Sequence, residues 1–234
     1  MDSIKILFWN CNGLRTGIDE LRDFVQQNPV DLILIQEVKC KSSKFLKIKN
    51  YKLYHTPRIT NNEISNFGGT AIFVNNKIPH AHIPSLDLNI TENTNIQIYI
   101  DKRNSLVISS VYIRILNNSN IPNIQALPHD LEKLLNLHNN VILAGDFNSH
   151  HTSWDKFSDP LGNSLYNFCT NKGVEIVHPL CPTRYDHRGN GTTIDLAILN
   201  NIPYPFTLTP HTLGSSDHIP LQLNLTCNSS LPNL

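Results

Sequence analysis

The sequence predicts layered α/β structure in one domain. Three observations carry this. Short, continuous apolar runs recur from ILFW near the start to the alternating leucines before residue 226. Amphipathic helical stretches separate several of them. A chain of 234 residues with 40% hydrophobic side chains is long enough for one sizeable core. The 19 Lys and Arg cancel the 19 Asp and Glu. That balance excludes a highly charged disordered chain and a uniformly basic coat for nucleic acid, though not a local basic face. No apolar run approaches the roughly 20 residues that cross a bilayer, so no membrane partner is expected. The first residues enter apolar alternation directly, without a secretory signal. The five cysteines are scattered and contain no CxxC, which points to reduced thiols and an intracellular setting.

The elements follow in order. Ile4 to Trp9 reads as a buried strand, closed by the turn signal Asn10-Cys11-Asn12-Gly13. Thr16 is placed to cap a helix from Gly17 to about Gln27, with Ile18, Leu21, Phe24 and Val25 on one face, and Pro29 ends it. Asp31 to Glu37 is a second continuous strand. Ala71–Val74, Ile96–Ile100 and Leu106–Ile113 follow as strands. Pro122 opens a helix to about His138 with a leucine stripe. Val141–Ala144 is a short buried strand running into Gly145-Asp146-Phe147-Asn148. Asp159-Pro160 predicts an N-cap with proline at the first helical position, and Gly173 stops that helix after about Asn171. Ile194–Leu199 and Ile219–Leu225 are the last strands. Residues 1–226 are read as the domain and 227–234 as a Ser/Asn/Pro-rich tail.

One regularity points to chemistry. Several apolar strands end in a side chain that binds cations or moves protons. Asn10 follows ILFW, Glu37 follows LILIQ, and Tyr112 follows VISSV. Asp146 and Asn148 follow VILAG, Asp195 follows TTI, and Asp217-His218 precede the final strand. Loops at strand ends are where layered α/β folds hold reactive groups rigidly. Carboxylates and carboxamides with one His and one Tyr suit a hard divalent cation and a phosphate ester. Each residue alone has a plainer explanation, as a turn, cap or core residue. Their order and number favour a site.

The same ordered set resembles the endonuclease/exonuclease/phosphatase superfamily. It comprises WNCNGL, IQE, SSVY, GDFN, TIDLAI and SSDH, spread from about Ile4 to Leu225. FWNCNGL, FGGTAIFV, GDFNSHHTSWD and LGSSDHIPL are most similar to the apurinic-type endonuclease domain of LINE-type, jockey-like non-LTR retrotransposons. The resemblance implies a four-layer α/β sandwich, with two packed mixed β-sheets flanked by helices. It implies a DNA endonuclease dependent on Mg²⁺ or Mn²⁺ that nicks one strand of double-stranded DNA in the nucleus. The resulting 3′-hydroxyl would prime a reverse transcriptase carried in the same polypeptide of a full-length element. No polymerase follows in this sequence, which therefore reads as an excised domain or a truncated copy.

Carried over residue by residue, the resemblance implies Glu37 as metal ligand with Asn10 beside the ion, and Asp217 near the ion or the attacking water. Asp146 and Asn148 would place and activate the water. His218, oriented by Asp195, would contact the scissile phosphate, and either Asp146 or His218 is the base. Tyr112 would donate to a phosphate oxygen or assist the leaving group. Thr183 occupies the place of a Pro-Thr pair near the phosphate. Residues 184–193 read as a hairpin turning at Asn190-Gly191, with Arg184, Tyr185, His187 and Arg188 as DNA contacts. Lys39, Lys41 and Lys44 open a run of lysines suited to the phosphate backbone. One departure is local: Tyr112 is followed by Ile113-Arg114-Ile115-Leu116, where such domains carry prolines. The same residues would also serve a phosphatase or phosphodiesterase acting on a small or lipid phosphate, or survive in an inactive nucleic-acid-binding remnant.

Overall fold

Strands that are apolar at every position must be covered on both faces. The structure, a computed structural model, describes residues 1–114 and 121–227 and shows how that is done. In chain order the elements are β1 (Ser3–Asn10), α1 (Leu14–Gln27), β2 (Leu32–Gln36), β3 (Tyr51–Thr56), β4 (Ile59–Thr60), β5 (Glu63–Ile64), β6 (Thr70–Asn75), β7 (His80–Ile83), β8 (Thr91–Tyr99) and β9 (Ser105–Ile113). There follow α2 (Ile121–Leu135), β10 (Val141–Asp146), α3 (Pro160–Lys172), β11 (Glu175–Val177), β12 (Arg184–Tyr185), β13 (Gly191–Thr192), β14 (Asp195–Asn200), β15 (Phe206–Pro210) and β16 (Leu221–Thr226).

Two six-stranded sheets form, in the orders β15-β16-β1-β2-β6-β3 and β11-β14-β10-β9-β8-β7. Both are mixed: β1 runs parallel to β2 and β9 parallel to β10, and the other pairs are antiparallel. Alternation along β1 shows the layering. Ile4, Ile6 and Phe8 enter the core between the sheets, where they join Leu34, Ile108 and Ile142. Leu7 and Trp9 face outward and are covered by Leu14, Ile18 and Leu21 of α1. On the far side, Leu127 and Leu131 of α2 and Leu165 of α3 cover Val107, Leu143 and Leu196. The result is helix, sheet, sheet, helix, the four-layer sandwich the resemblance implies.

The helix ends differ in instructive ways. Asp159 caps α3 through Gly162 N (2.6 Å), Pro160 stands in its first turn, and Gly173 ends it at φ 67°, as the sequence predicts. Helix α1 starts earlier than predicted, and Thr16 is not its cap. Its hydroxyl instead donates to the Gly13 carbonyl from inside the first turn (2.8 Å). A side-chain cap is dispensable because Gly13 N and Leu14 N donate to the Glu37 and Val38 carbonyls (2.9 and 3.1 Å). The unpredicted strands β3, β7 and β15 are half-exposed edge strands of mixed polarity. β8 begins at Thr91, well before the predicted Ile96. Its first half carries buried polar residues, among them Asn93, Thr94 and Asn95, that hide the apolar signal. The predicted loop after Arg114 and the tail beyond Cys227 lie outside the described residues.

Candidate active site

The register of the strands gathers the predicted residues at one end of the sandwich. Asn10 pairs with Gln36 across β1 and β2, so Glu37 leaves the sheet beside it. In the other sheet Asp146 pairs with Tyr112 on one side and Asp195 on the other. A buried polar tie holds the two sheets together beneath them: Gln36 Nε2 donates to Ser110 Oγ, which donates to the Ile35 carbonyl (both 2.9 Å). Gly145 makes this approach possible. At φ 148° it is in a conformation open to glycine, and a Cβ there would lie 2.8 Å from the Gln36 amide of the facing sheet and 2.1 Å from the Val111 carbonyl of its own.

The side chains form one network. Asn10 Nδ2 donates to Glu37 Oε1 (3.2 Å) and to Asp146 Oδ2 (2.8 Å). Asn148, at φ 44°, donates its backbone N–H to Asp146 Oδ1 (2.9 Å) and its amide to the Ile113 carbonyl (2.8 Å). Asp195 Oδ2 lies 2.9 Å from His218 Nδ1, which fixes the imidazole so that Nε2 faces Asp146 Oδ2 at 3.9 Å. Lys39 pairs with Glu37 Oε2 (2.7 Å), and Arg184 pairs with Asp217 Oδ2 (2.9 Å). These groups border a cleft of about 170 Å³ lined by Asn12, Glu37, Lys39, Asp146, Asn148, Arg184, Asp217 and His218. A larger cleft of about 790 Å³ lies at the far end of β3 and β6, and its lining has no carboxylate or imidazole.

The electrostatics separate the groups. Burial pushes the Asp146 carboxyl above the usual carboxylate range, against the pull of His218. Burial alone would lower His218, but the Asp195 carboxylate outweighs it and raises the imidazole. Burial would also raise Glu37, yet hydrogen bonds from Lys39 and Asn10 hold it below its ordinary value. Asp217 is likewise held down, by Arg184 against burial. Burial, with the charges of Glu37 and Asp146, drives the Tyr112 phenol far up, so it remains a proton donor.

Asn10, Glu37, Tyr112, Asp146, Asn148, Asp195, Asp217 and His218 thus share one site. Thr183 stands differently from expectation. It is fully buried, and its hydroxyl accepts from Ile194 N (3.0 Å) and Asp195 N (3.1 Å), so it steadies Asp195 from behind. The predicted hairpin is present as β12 and β13, but Asn190-Gly191 is not its turn. The chain reverses at Asp186–Gly189, because the Asp186 carboxylate collects Arg188 N, Asn190 N and Asn190 Nδ2, and Gly189 supplies φ 81°. Arg184 lines the cleft, Tyr185 next to it is exposed, and His187 and Arg188 are exposed at the tip. Of the lysine run, Lys39 reaches the cleft, whereas Lys41 and Lys44 are exposed in the loop beyond it.

Sequence reasoning missed four supporting residues. Asn12 bridges Lys39 and Asp217 (3.3 Å to Asp217 Oδ1). Ser216 Oγ donates to the Asn10 carbonyl (2.7 Å), and Trp9 Nε1 to the His218 carbonyl (3.0 Å). Arg58 lies over the Tyr112 ring, 5.6 Å from its centroid, and pairs with Glu92. The conjunction of WN with SSDH was a signal for Trp9 and Ser216. Arg58 had none.

The donor set fits a hard divalent cation. Glu37 is ionised and partly exposed, and Asp217 lines the same cleft, so both offer carboxylate oxygens, whereas Asn10 turns its Nδ2 to Glu37 and steadies it rather than offering an oxygen. A positive group already sits on its outer oxygen, the Lys39 ammonium. Among the described residues, Asp146, Asp195 and His218 also stand close enough to share an ion. The imidazole here is held protonated by Asp195, and an imidazolium cannot ligate, so this trio is better suited to proton chemistry.

A family model described as Endonuclease/Exonuclease/phosphatase family matches residues 7–228. The chain is 28% identical over 242 residues to the probable RNA-directed DNA polymerase from transposon BS of Drosophila melanogaster, a match covering 100% of this chain and 25% of that protein. It is 24% identical over 224 residues to the RNA-directed DNA polymerase from mobile element jockey of the same species, covering 94% and 23%. The chain therefore spans about a quarter of the length of these curated relatives. Among solved structures, the endonuclease domain of TRAS1, a telomere-specific non-LTR retrotransposon, superposes with a TM-score of 0.75 at 18% identity, covering 97% of this chain and 100% of that one. The AP endonuclease LMAP from Leishmania major superposes with a TM-score of 0.80 at 14% identity, covering 96% and 88%. Both show the shared fold. With strand-end residues gathered as that fold requires and a family match over nearly its whole length, the chain belongs to the endonuclease/exonuclease/phosphatase family.

Proposed function

We propose that this chain is a divalent-metal-dependent DNA endonuclease that nicks one strand of double-stranded DNA. The observation that carries the proposal is the alignment of Asp195, His218 and Asp146, with His218 Nε2 turned toward the buried Asp146 carboxylate. Both groups face the same cleft, so a water on Asp146 and a phosphate oxygen on His218 would lie side by side there. Asp146 is the general base: its carboxyl is raised by burial, and the imidazole beside it holds its own proton. Water loses a proton to Asp146 and its oxygen bonds to phosphorus. The bond from phosphorus to the 3′-oxygen breaks, and that oxygen takes a proton from the Tyr112 phenol or from water, giving a 5′-phosphate and a 3′-hydroxyl. His218 donates to a non-bridging oxygen as charge builds, and the Tyr112 phenol donates nearby. Asn10 and Asn148 hold Asp146 in place. Glu37, with Asp217 in the same cleft and Asn10 steadying it, would hold Mg²⁺ or Mn²⁺, which when bound neutralises phosphate charge.

Similarity to the polymerases of transposon BS and jockey supports a biological setting. The 3′-hydroxyl would prime a reverse transcriptase belonging to the same polypeptide, acting on chromosomal DNA in the nucleus. Nicking of supercoiled plasmid in Mg²⁺ tests the core of this. We expect activity abolished by EDTA and reduced on the order of 10²-fold or more in Asp146→Asn and in His218→Ala. Nicking unaffected by either change overturns the assignment, and hydrolysis of p-nitrophenyl phosphate without nicking would turn it to a small-molecule phosphatase.

A further inference from the structure

Glu37 and Lys39 are held in an unusual way. Both have positive φ, at 52° and 49°, a region that side chains other than glycine rarely adopt. Four backbone bonds pin this stretch. Val38 N and Lys39 N donate to Gly69 and Gly68 carbonyls (3.1 and 2.8 Å), while the Glu37 and Val38 carbonyls accept from Gly13 and Leu14 N. The double left-handed step turns the two side chains to the same side, and the Lys39 ammonium meets Glu37 Oε2 at 2.7 Å. The same ammonium donates to Asn12 Oδ1, and Asn12 reaches Asp217 Oδ1 at 3.3 Å. One lysine thus neutralises the carboxylate best suited to the metal, inside the cleft, with its side chain 28% exposed. An ordinary backbone-tracking lysine would point outward, as Lys41 and Lys44 do.

We propose that Lys39 is the resident counter-ion of Glu37. It holds the place of the divalent cation, yields the carboxylate when the cation arrives, and its freed ammonium then takes a phosphate of the DNA backbone. The proposal rests on the metal-dependent reading above. It makes metal and DNA binding mutually reinforcing, because each removes a partner that Lys39 would otherwise share with the other. Competition between one ammonium and one divalent ion for this largely buried carboxylate corresponds to about a three- to tenfold change in affinity.

The test is Mn²⁺ binding to the full chain, followed by electron paramagnetic resonance without DNA. We expect Lys39→Met to bind Mn²⁺ about three- to tenfold more tightly than wild type, and Lys39→Arg to bind as wild type does. A second measurement needs no variant: acetylation of wild-type lysines, read by mass spectrometry with Lys41 as internal reference. Ca²⁺ should raise Lys39 labelling severalfold, and Ca²⁺ with a short DNA duplex should lower it again. If wild type and Lys39→Met bind Mn²⁺ equally, or Ca²⁺ leaves Lys39 labelling unchanged, the counter-ion role is overturned while the metal site stands. If neither protein binds Mn²⁺, the metal-dependent reading itself falls.

Discussion

His218 is the residue whose surroundings speak most directly to its chemistry. It is buried at 4% exposure, bonded to Asp195 through Nδ1, with its carbonyl held by Trp9. Burial opposes its charge, yet Asp195 overcomes this and lifts its pKa from 6.5 to about 9. The sign follows from linkage. Because the folded value is raised, the stability this imidazolium contributes is fully present below pH 6.5 and is lost as pH climbs through about 9. In EDTA at pH 8, long-range ¹H–¹⁵N spectra should therefore show a protonated His218 ring. In Asp195→Asn, where desolvation is no longer opposed by that charge, the ring should be neutral at the same pH. A neutral wild-type ring at pH 7 would mean that Asp146 is not the sole candidate base.

At the scale of elements, two pieces of secondary structure are fastened by single acidic side chains. Asp130 of α2 is fully buried and receives Asn89 N and Nδ2, Ile90 N and Thr91 N, between 2.9 and 3.2 Å. It anchors the outer helix to the start of β8. Replacing it with alanine strands these donors, and urea denaturation should show a loss of about 3 kcal/mol. Asp186 does the equivalent work in the β12–β13 hairpin, closing its tip while Arg184 at its base remains tied to Asp217. The tip and the cleft are thus separable. Exchanging residues 186–190 for those of a related domain should move the mapped nick positions while leaving the plasmid nicking rate within about threefold. Unmoved nicks would show that the tip does not read the target.

At the scale of the whole molecule, what was legible in the sequence was what is local. An apolar run stopping at a carboxylate, as in LILIQE or VILAGD, announces both a strand and the group at its end, so β1, β2, β9, β10 and β14 and their site residues were readable. Polar residues that mate across the two sheets were not. Thr94 in β8 has meaning only beside Thr70 and Thr56 (2.8 Å each), and Gln36 only beside Ser110 (2.9 Å). Their sequence separations give no hint of this. Lys39 looked like one member of a lysine run until Asn12 and Glu37 were seen around it. The net charge of zero conceals the same arrangement: acidic groups at the centre, with Lys39, Arg184 and the hairpin tip bordering them.

The pairing of the first strand with the last has a consequence for how the protein is made. β1 lies between β2 and β16, with Ser3 opposite Thr226 and Phe8 opposite Leu221. Until the ribosome has released residue 226, one edge of β1 stays unpaired, an adhesive border in a crowded cell. Asp217 and His218 are brought in by that same final strand. The nascent chain therefore carries Glu37 and Asp146 long before Asp217 and His218 can close the cleft around them. The cleft is thus completed only after β16 has joined β1, well after the strands that carry Glu37 and Asp146 have been made.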